Sequence, residues 1–136
     1  IAKYKAMKVV EKQTAKWQRN EAVDVVSSWL LNGTPIDAIA ANNDEMAIGA
    51  VMALNQAKNK KVLVAGIDGT PDGVKFVQNG GIALTIFQDA RGQATGSVKV
   101  VRALIDKQKI DAYTWVPYKT ITPDNVKDFI NTESKK

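Results

Sequence analysis

Three polar side chains each stand at the end of a short apolar run. Asn43 follows Ile36 to Ala40, Asp68 follows Lys61-Val62-Leu63-Val64-Ala65-Gly66-Ile67, and Gln88 follows Ile82 to Phe87. Such runs, bounded by Gly, Pro and Asn, read as strands. If the strands are parallel, the three residues converge on one edge of a sheet. Ligands bind open α/β sheets at the carboxyl ends of their strands. One carboxylate and two amides make a set of acceptors and donors suited to a polyhydroxylated ligand. Asn43 and Asp44 also open a helix, where their side-chain oxygens can accept the free N–H groups of the first turn. A cap of that kind, taken alone, says nothing about a ligand.

What the chain lacks narrows the chemistry. Its 136 residues contain no Cys and no His. That removes thiolate chemistry and the commonest general base and metal ligand. An enzyme built on Asp68 and a lysine stays conceivable, but no nucleophile, base and oxyanion site are brought together. The net charge is +5, yet only Arg19, Arg91 and Arg102 are arginine and the lysines are scattered. A solvated lysine surface is the reading, not a nucleic-acid interface. No apolar run approaches the roughly 20 residues of a membrane span, and none of these residues is expected to form a leader peptide. The sequence opens on Ile1 without Met, so these residues are expected to be less than the whole biological chain.

The elements that must position the polar residues alternate. Residues 1–5 read as the end of a helix and 7–13 as a strand, with Gln13 to Trp17 a loop. A helix over 20–31 stops at Asn32-Gly33. A strand at 36–41 leads into Asn43 and a helix to about Lys58, with Met46, Ala47, Ala50, Val51 and Leu54 at amphipathic spacing. The next strand, 61–67, is apolar throughout and reads as buried on both faces. Pro71 opens a helix that ends at Gly80-Gly81. A strand at 82–87, a helix over 91–107, a strand at 115–121 and a helix over 123–131 complete the series. Pro117 puts the last strand at an edge. Residues 131–136 are expected to fray. The fold class is α/β, a doubly wound parallel sheet. Trp29 and Trp115 read as packing residues. Asp44, Glu45 and Asp72 read as acidic residues favoured by helix N-termini.

Asn42-Asn43-Asp44-Glu45-Met46-Ala47, taken with Gly66-Ile67-Asp68-Gly69-Thr70-Pro71-Asp72, resembles the C-terminal lobe of the periplasmic sugar-binding proteins of ABC transporters, of the ribose and galactose/glucose types. The resemblance covers about residues 5–127. It implies one Rossmann-like lobe of a two-lobe fold, with residues 1–136 forming the C-terminal lobe. It further implies that Asn43 hydrogen-bonds sugar hydroxyls, that Asp68 accepts from two adjacent hydroxyls and that Gln88 is the amide of the hinge strand. Trp17 matches the aromatic that stacks on a sugar face. Asp89 is a further contact candidate. Family members are about twice as long. The first lobe and a second-lobe segment bearing a ligand-binding Arg are missing here. By the same comparison, residues 89–112 belong with the missing lobe. Asp37 falls where the galactose type has a calcium ligand, but the loop carrying the other ligands is not in this chain, so neither a metal nor a cofactor is expected.

The resemblance implies non-covalent capture of a monosaccharide or cyclitol by hinge closure, for delivery to an ABC permease and, as a second partner, a chemoreceptor. The protein would be periplasmic, or extracellular and lipoprotein-anchored in a Gram-positive organism, and monomeric at full length. Trp17 leans toward a six-membered ring such as galactose, glucose or inositol. Gln88 and the Gly69-Thr70-Pro71-Asp72 turn lean toward ribose. The alternative is the effector-binding core of a lac-repressor-type transcription regulator, which shares the fold and a similar Asn-Asp pair but brings an N-terminal helix-turn-helix.

Overall fold

The computed structural model describes residues 3–130. Nine elements follow in order: α1 (Arg19–Leu31), β1 (Ala38–Ala40), α2 (Asp44–Gln56), β2 (Leu63–Asp68), α3 (Pro71–Gln78), β3 (Leu84–Phe87), α4 (Ala90–Ile105), β4 (Lys119–Ile121) and α5 (Lys127–Ile130). The four strands form one sheet in the order β1-β2-β3-β4. β1, β2 and β3 are parallel, with Ala40 opposite Ala65 and Asp68 opposite Phe87. β4 closes the far edge antiparallel to β3. The architecture is thus the expected α/β lobe, with a mostly parallel sheet. Among the described residues no helix is long and apolar enough to cross a membrane.

Local chemistry explains the helix bounds. Asn43 caps α2 by accepting from the Met46 N–H at 2.9 Å. Thr70 caps α3 by accepting from the Gly73 N–H at 3.1 Å, with Pro71 in the first turn. α1 ends where Gly33, at φ +71, lets its N–H reach the Leu30 carbonyl and the Thr34 N–H reach that of Trp29, a closure glycine favours.

The core sits between α2 and the sheet. Ala47, Ile48, Ala50, Val51 and Leu54 of α2 are buried with Val64, Val77, Ile82 and Ile121. Trp29 packs against this cluster, as its expected role requires. α1 crosses α2 at Gly49, where an added Cβ would strike the Arg19 carbonyl and approach the Ala22 Cβ to 2.8 Å. Gly49→Ala gains about 1 kcal/mol of helix propensity but forces the two helices apart at a cost of about 1–3 kcal/mol. We expect the crossing to win, so that urea denaturation shows a net loss of stability. A stabilised variant would mean that the α1–α2 crossing is looser than the geometry indicates.

Several expectations need correction. Residues 3–6 form turns, not the end of a helix. Residues 7–13 form no strand, because strand formation needs a neighbour to pair with and none lies beside them. The late strand is confined to 119–121: Pro117 has no N–H for a ladder. Trp115 is 85% exposed and stacks on Tyr113 instead of packing in the core. Val64 of β2 is buried while Leu63 is 63% exposed, so this strand is not covered on both faces along its length. The last helix is a single turn, Lys127–Ile130. The expected fraying of 131–136 lies outside the described residues.

Candidate functional site

Because β1, β2 and β3 run parallel, their carboxyl ends share one edge of the sheet, each strand about 5 Å from the next. Asn43 lies three residues past β1, Asp68 is the last residue of β2, and Gln88 directly follows β3. Asp68 and Gln88 touch: Gln88 Nε2 donates to Asp68 Oδ1 at 2.6 Å, and the Gln88 N–H donates to the Asp68 carbonyl at 3.0 Å. Tyr118 Oη donates to Gln88 Oε1 at 3.4 Å. This arrangement uses one carboxylate oxygen of Asp68 and leaves Oδ2 to accept from a ligand.

Asp68 also has an unusual backbone. Its φ is +114, a region that side chains disfavour and that persists only where surrounding bonds hold it. Those bonds follow immediately: the Gly69 N–H donates to Thr85 Oγ1 at 3.3 Å, and the Thr70 N–H donates to Asp44 Oδ2 at 2.7 Å.

Asn43 and Trp17 form the second half of the edge. Asn43 is only 7% exposed. Its Oδ1 caps α2, and its Nδ2 donates to the Trp17 carbonyl at 3.3 Å. Cap and candidate contact therefore coexist in one side chain, with one amide hydrogen and one lone pair still open. Trp17 sits at φ +65 and is 64% exposed. Its ring is free to cover a ligand face. Asp89, the further candidate, caps α4 by accepting from the Gly92 N–H at 2.8 Å.

The residue that sequence reasoning undervalued is Asp44. It is fully buried and binds well beyond its own helix. Its Oδ2 accepts from the Thr70 N–H and, at 3.0 Å, from Thr70 Oγ1; its Oδ1 accepts from Thr85 Oγ1 at 2.6 Å. Asp44 thus ties the start of α2 to the turn after Asp68 and to β3. Burial pushes its carboxyl pKa above the usual value, while the three donors pull the other way. Gly66 and Gly73 make room for it, since a Cβ on either would collide with the carboxylate. Those glycines were the available signal, but nothing local says which side chain they accommodate. Glu45 and Asp72 meet Arg19, which donates to both Glu45 oxygens at 2.8 and 2.9 Å and to Asp72 Oδ2 at 3.0 Å. Those hydrogen bonds, the Glu45 ones foremost, raise the Arg19 pKa. The guanidinium links the first turns of α1, α2 and α3.

The family profile described as periplasmic binding protein domain matches residues 1–109. The chain is 40% identical over 116 residues to the ribose import binding protein of Haemophilus influenzae, covering 84% of this chain and 39% of that protein. Among solved structures, it matches an ABC transporter solute-binding protein from Bacillus halodurans with bound myo-inositol, at TM-score 0.88 and 39% identity over 95% of this chain and 45% of that one. It also matches a periplasmic solute-binding protein of an ABC transporter from Actinobacillus succinogenes with bound D-allose, at TM-score 0.88 and 34% identity over 93% of this chain and 46% of that one. The chain therefore spans less than half the length of each.

Proposed function

Since the chain belongs to the periplasmic binding protein domain family, we propose that it is the C-terminal lobe of a sugar- or cyclitol-binding protein serving an ABC transporter. The observation that carries this reading is the single edge on which Asp68, Gln88, Asn43 and an exposed Trp17 stand. Asp68 Oδ2 would accept from ligand hydroxyls, Gln88 would hold Asp68 in place, and Asn43 would supply one donor and one acceptor. The Trp17 ring would lie against the C–H face of the ligand. A relative described as a ribose import binding protein, and neighbours with bound myo-inositol and D-allose, support this ligand class over a nucleotide or a peptide. They also favour an import protein over the effector core of a transcription regulator. No covalent step is needed. Binding would work by hinge closure, with the closed form read by the permease or a chemoreceptor. The protein would act in the periplasm, or on a lipoprotein anchor outside a Gram-positive cell, as a monomer at full length.

The edge is open to solvent and has no opposite wall, whereas small-ligand sites bury most of the ligand. A second lobe would supply that wall. α4 fits the same picture: it buries no residue, and Val98, Val101, Leu104 and Ile105 are exposed. We assign residues 89–112 to the other lobe, where these side chains would find cover.

The test is a tryptophan-fluorescence titration of the full-length protein with ribose, galactose, glucose and myo-inositol, repeated with Trp17→Ala. A saturable change for one sugar class, weakened about tenfold or more by Trp17→Ala, is the expected result. An aromatic contact worth roughly 1.5 kcal/mol or more sets that factor. If no sugar or cyclitol binds the full-length protein, the ligand class is wrong. If one binds equally well to the variant, the place of Trp17 is wrong.

A further inference from the structure

Among the described residues three polar side chains are buried: Asn43, Asp44 and Thr85. Asn43 caps α2, which accounts for its place. Thr85 stands fully buried inside β3 and caps no helix. Its hydroxyl has one proton and gives it to Asp44 Oδ1 at 2.6 Å. That direction turns its lone pairs to the Gly69 N–H, which donates to them at 3.3 Å. The other carboxylate oxygen of Asp44 repeats the pattern. Oδ2 accepts from Thr70 Oγ1, and that hydroxyl accepts from the Gly73 N–H. The Thr70 relay has a plain structural use, since it caps α3. The Thr85 relay ends instead on the peptide that follows Asp68. Valine suits a strand interior as well as threonine does. A buried hydrogen-bonded pair can also be replaced by apolar groups of the same shape at little cost. Packing alone therefore does not call for a hydroxyl at position 85.

What the relay reaches is the most constrained turn of the site. Asp68 and Gly69 stand at φ +114 and +67, and Thr70 returns to −63. Only the glycine adopts such angles freely. Gly69 is also pressed against β3: a Cβ there would stand 2.9 Å from the Phe87 ring and 3.0 Å from the Phe87 Cα. The peptide after Asp68 is gripped at both ends. The Gln88 N–H donates to its carbonyl at 3.0 Å, and its own N–H, that of Gly69, donates to Thr85. One bond alone would leave the plane of this peptide free to swing. The next peptide is held at the Thr70 N–H by Asp44. Released from these bonds, Asp68 would leave a backbone region that a side chain disfavours, and Oδ2 would move with it. We propose that Thr85 and Asp44 are positioning residues for ligand recognition, a role that rests on the sugar or cyclitol reading of the site. They lock the two peptides after Asp68 and so keep its free oxygen aimed at the ligand. Neither touches the ligand, and Thr85 acts only through Gly69 and Asp68.

Thr85→Val in the full-length protein tests this, because it removes the hydroxyl and keeps the branched shape. Calorimetric titration with ribose, galactose, glucose and myo-inositol is expected to give an affinity about tenfold weaker, the effect of one neutral hydrogen bond. Thr85→Ser keeps the hydroxyl and loses a methyl group. It should melt at a lower temperature yet bind within about twofold of the parent. In the Asp68→Ala background Thr85→Val should leave the residual affinity unchanged, since its effect passes through Asp68. A purely structural role would lower Tm and would either spare the affinity or weaken it equally in both backgrounds. A ligand-free readout stands beside these. Amide–α-proton couplings should place Asp68 at positive φ in the parent and in Thr85→Ser, and show that angle averaged or lost in Thr85→Val. If a sugar binds the parent and Thr85→Val equally well, the proposal fails while the ligand reading stands. It fails too if Thr85→Ser weakens binding as much as Thr85→Val, if Thr85→Val costs as much in the Asp68→Ala background, or if Asp68 keeps its φ in Thr85→Val. If no sugar or cyclitol binds the parent, the ligand reading fails and the positioning role falls with it, whatever the couplings show.

Discussion

Replacing Asp44 with alanine is expected to destabilise the chain by about 3 kcal/mol, because a hydrogen bond to a buried charged group contributes roughly 1.5–3 kcal/mol. Asp44 accepts three such bonds, from the Thr70 N–H, Thr70 Oγ1 and Thr85 Oγ1. They are not additive, since both Thr70 donors meet one oxygen and the threonine hydroxyls can turn elsewhere. The Thr70 N–H cannot turn, and it would be left without its acceptor. Asp44→Asn should lose less, because its amide oxygen can still meet that N–H. Urea denaturation of the two variants checks both statements. A loss below about 1 kcal/mol for Asp44→Ala would show that Asp44 is not the tie between α2, the turn after Asp68 and β3. The same group predicts a pH effect. Burial raises the Asp44 pKa above its ordinary 3.8, so the folded state holds this proton more tightly than the unfolded chain. Its contribution is therefore fully present below about 3.8 and declines as pH rises through the folded value. Measured against Asp44→Asn, which has no such proton, the stability of the parent chain should fall over that interval. A difference that rises with pH would mean that the three donors outweigh desolvation.

How legible this was depended on whether the governing interactions were local. The helix starts at Asn43 and Thr70-Pro71 were readable, because a cap acts within three residues. So were the strands around 63–68 and 84–87, whose apolar runs are bounded by glycines and polar residues. The segment 7–13 has strand-like composition but does not pair. Pairing is a property of what lies alongside, and composition cannot report it. α4 was readable as an amphipathic helix, yet nothing in its own residues says that its apolar side lacks cover here. Trp115 looked like a packing residue by type alone, and it is exposed. Asp44 is the sharpest case. Its partners Thr70 and Thr85 lie 26 and 41 residues away, so its neighbours in sequence supported only the helix-terminus reading. Asn43, Asp68 and Gln88 could be gathered on one edge because three parallel strands put every strand end on the same side. The contact between Asp68 and Gln88 then needs only adjacent strands in register.

The largest functional effect is expected at Asp68. Under the proposed reading, Asp68→Ala in the full-length protein should weaken sugar or cyclitol binding by about 100-fold. Oδ2 is the acceptor left free by the Gln88 bond. A carboxylate oxygen that takes two hydroxyl donors accounts for roughly 3 kcal/mol at 1.5 kcal/mol or more per bond, which is about two powers of ten in affinity. Gln88→Leu should cost less, about tenfold. It leaves the carboxylate in place but frees it from the 2.6 Å bond from Nε2 that sets its direction. The two changes should also be less than additive, since the role given to Gln88 acts through Asp68. Isothermal titration calorimetry of the parent, both single variants and the double variant checks the whole set. Thermal melts run alongside would separate loss of the site from loss of the fold. This control matters because Asp68 sits at φ +114, a conformation from which alanine, with no side-chain tie to Gln88, can relax. If Asp68→Ala melts like the parent and binds within about fivefold of it, the carboxylate does not carry recognition, and the edge would have to be reassigned to Asn43 and Trp17. If Gln88→Leu weakens binding as much as Asp68→Ala, and the double variant is weaker still, Gln88 contacts the ligand independently of Asp68.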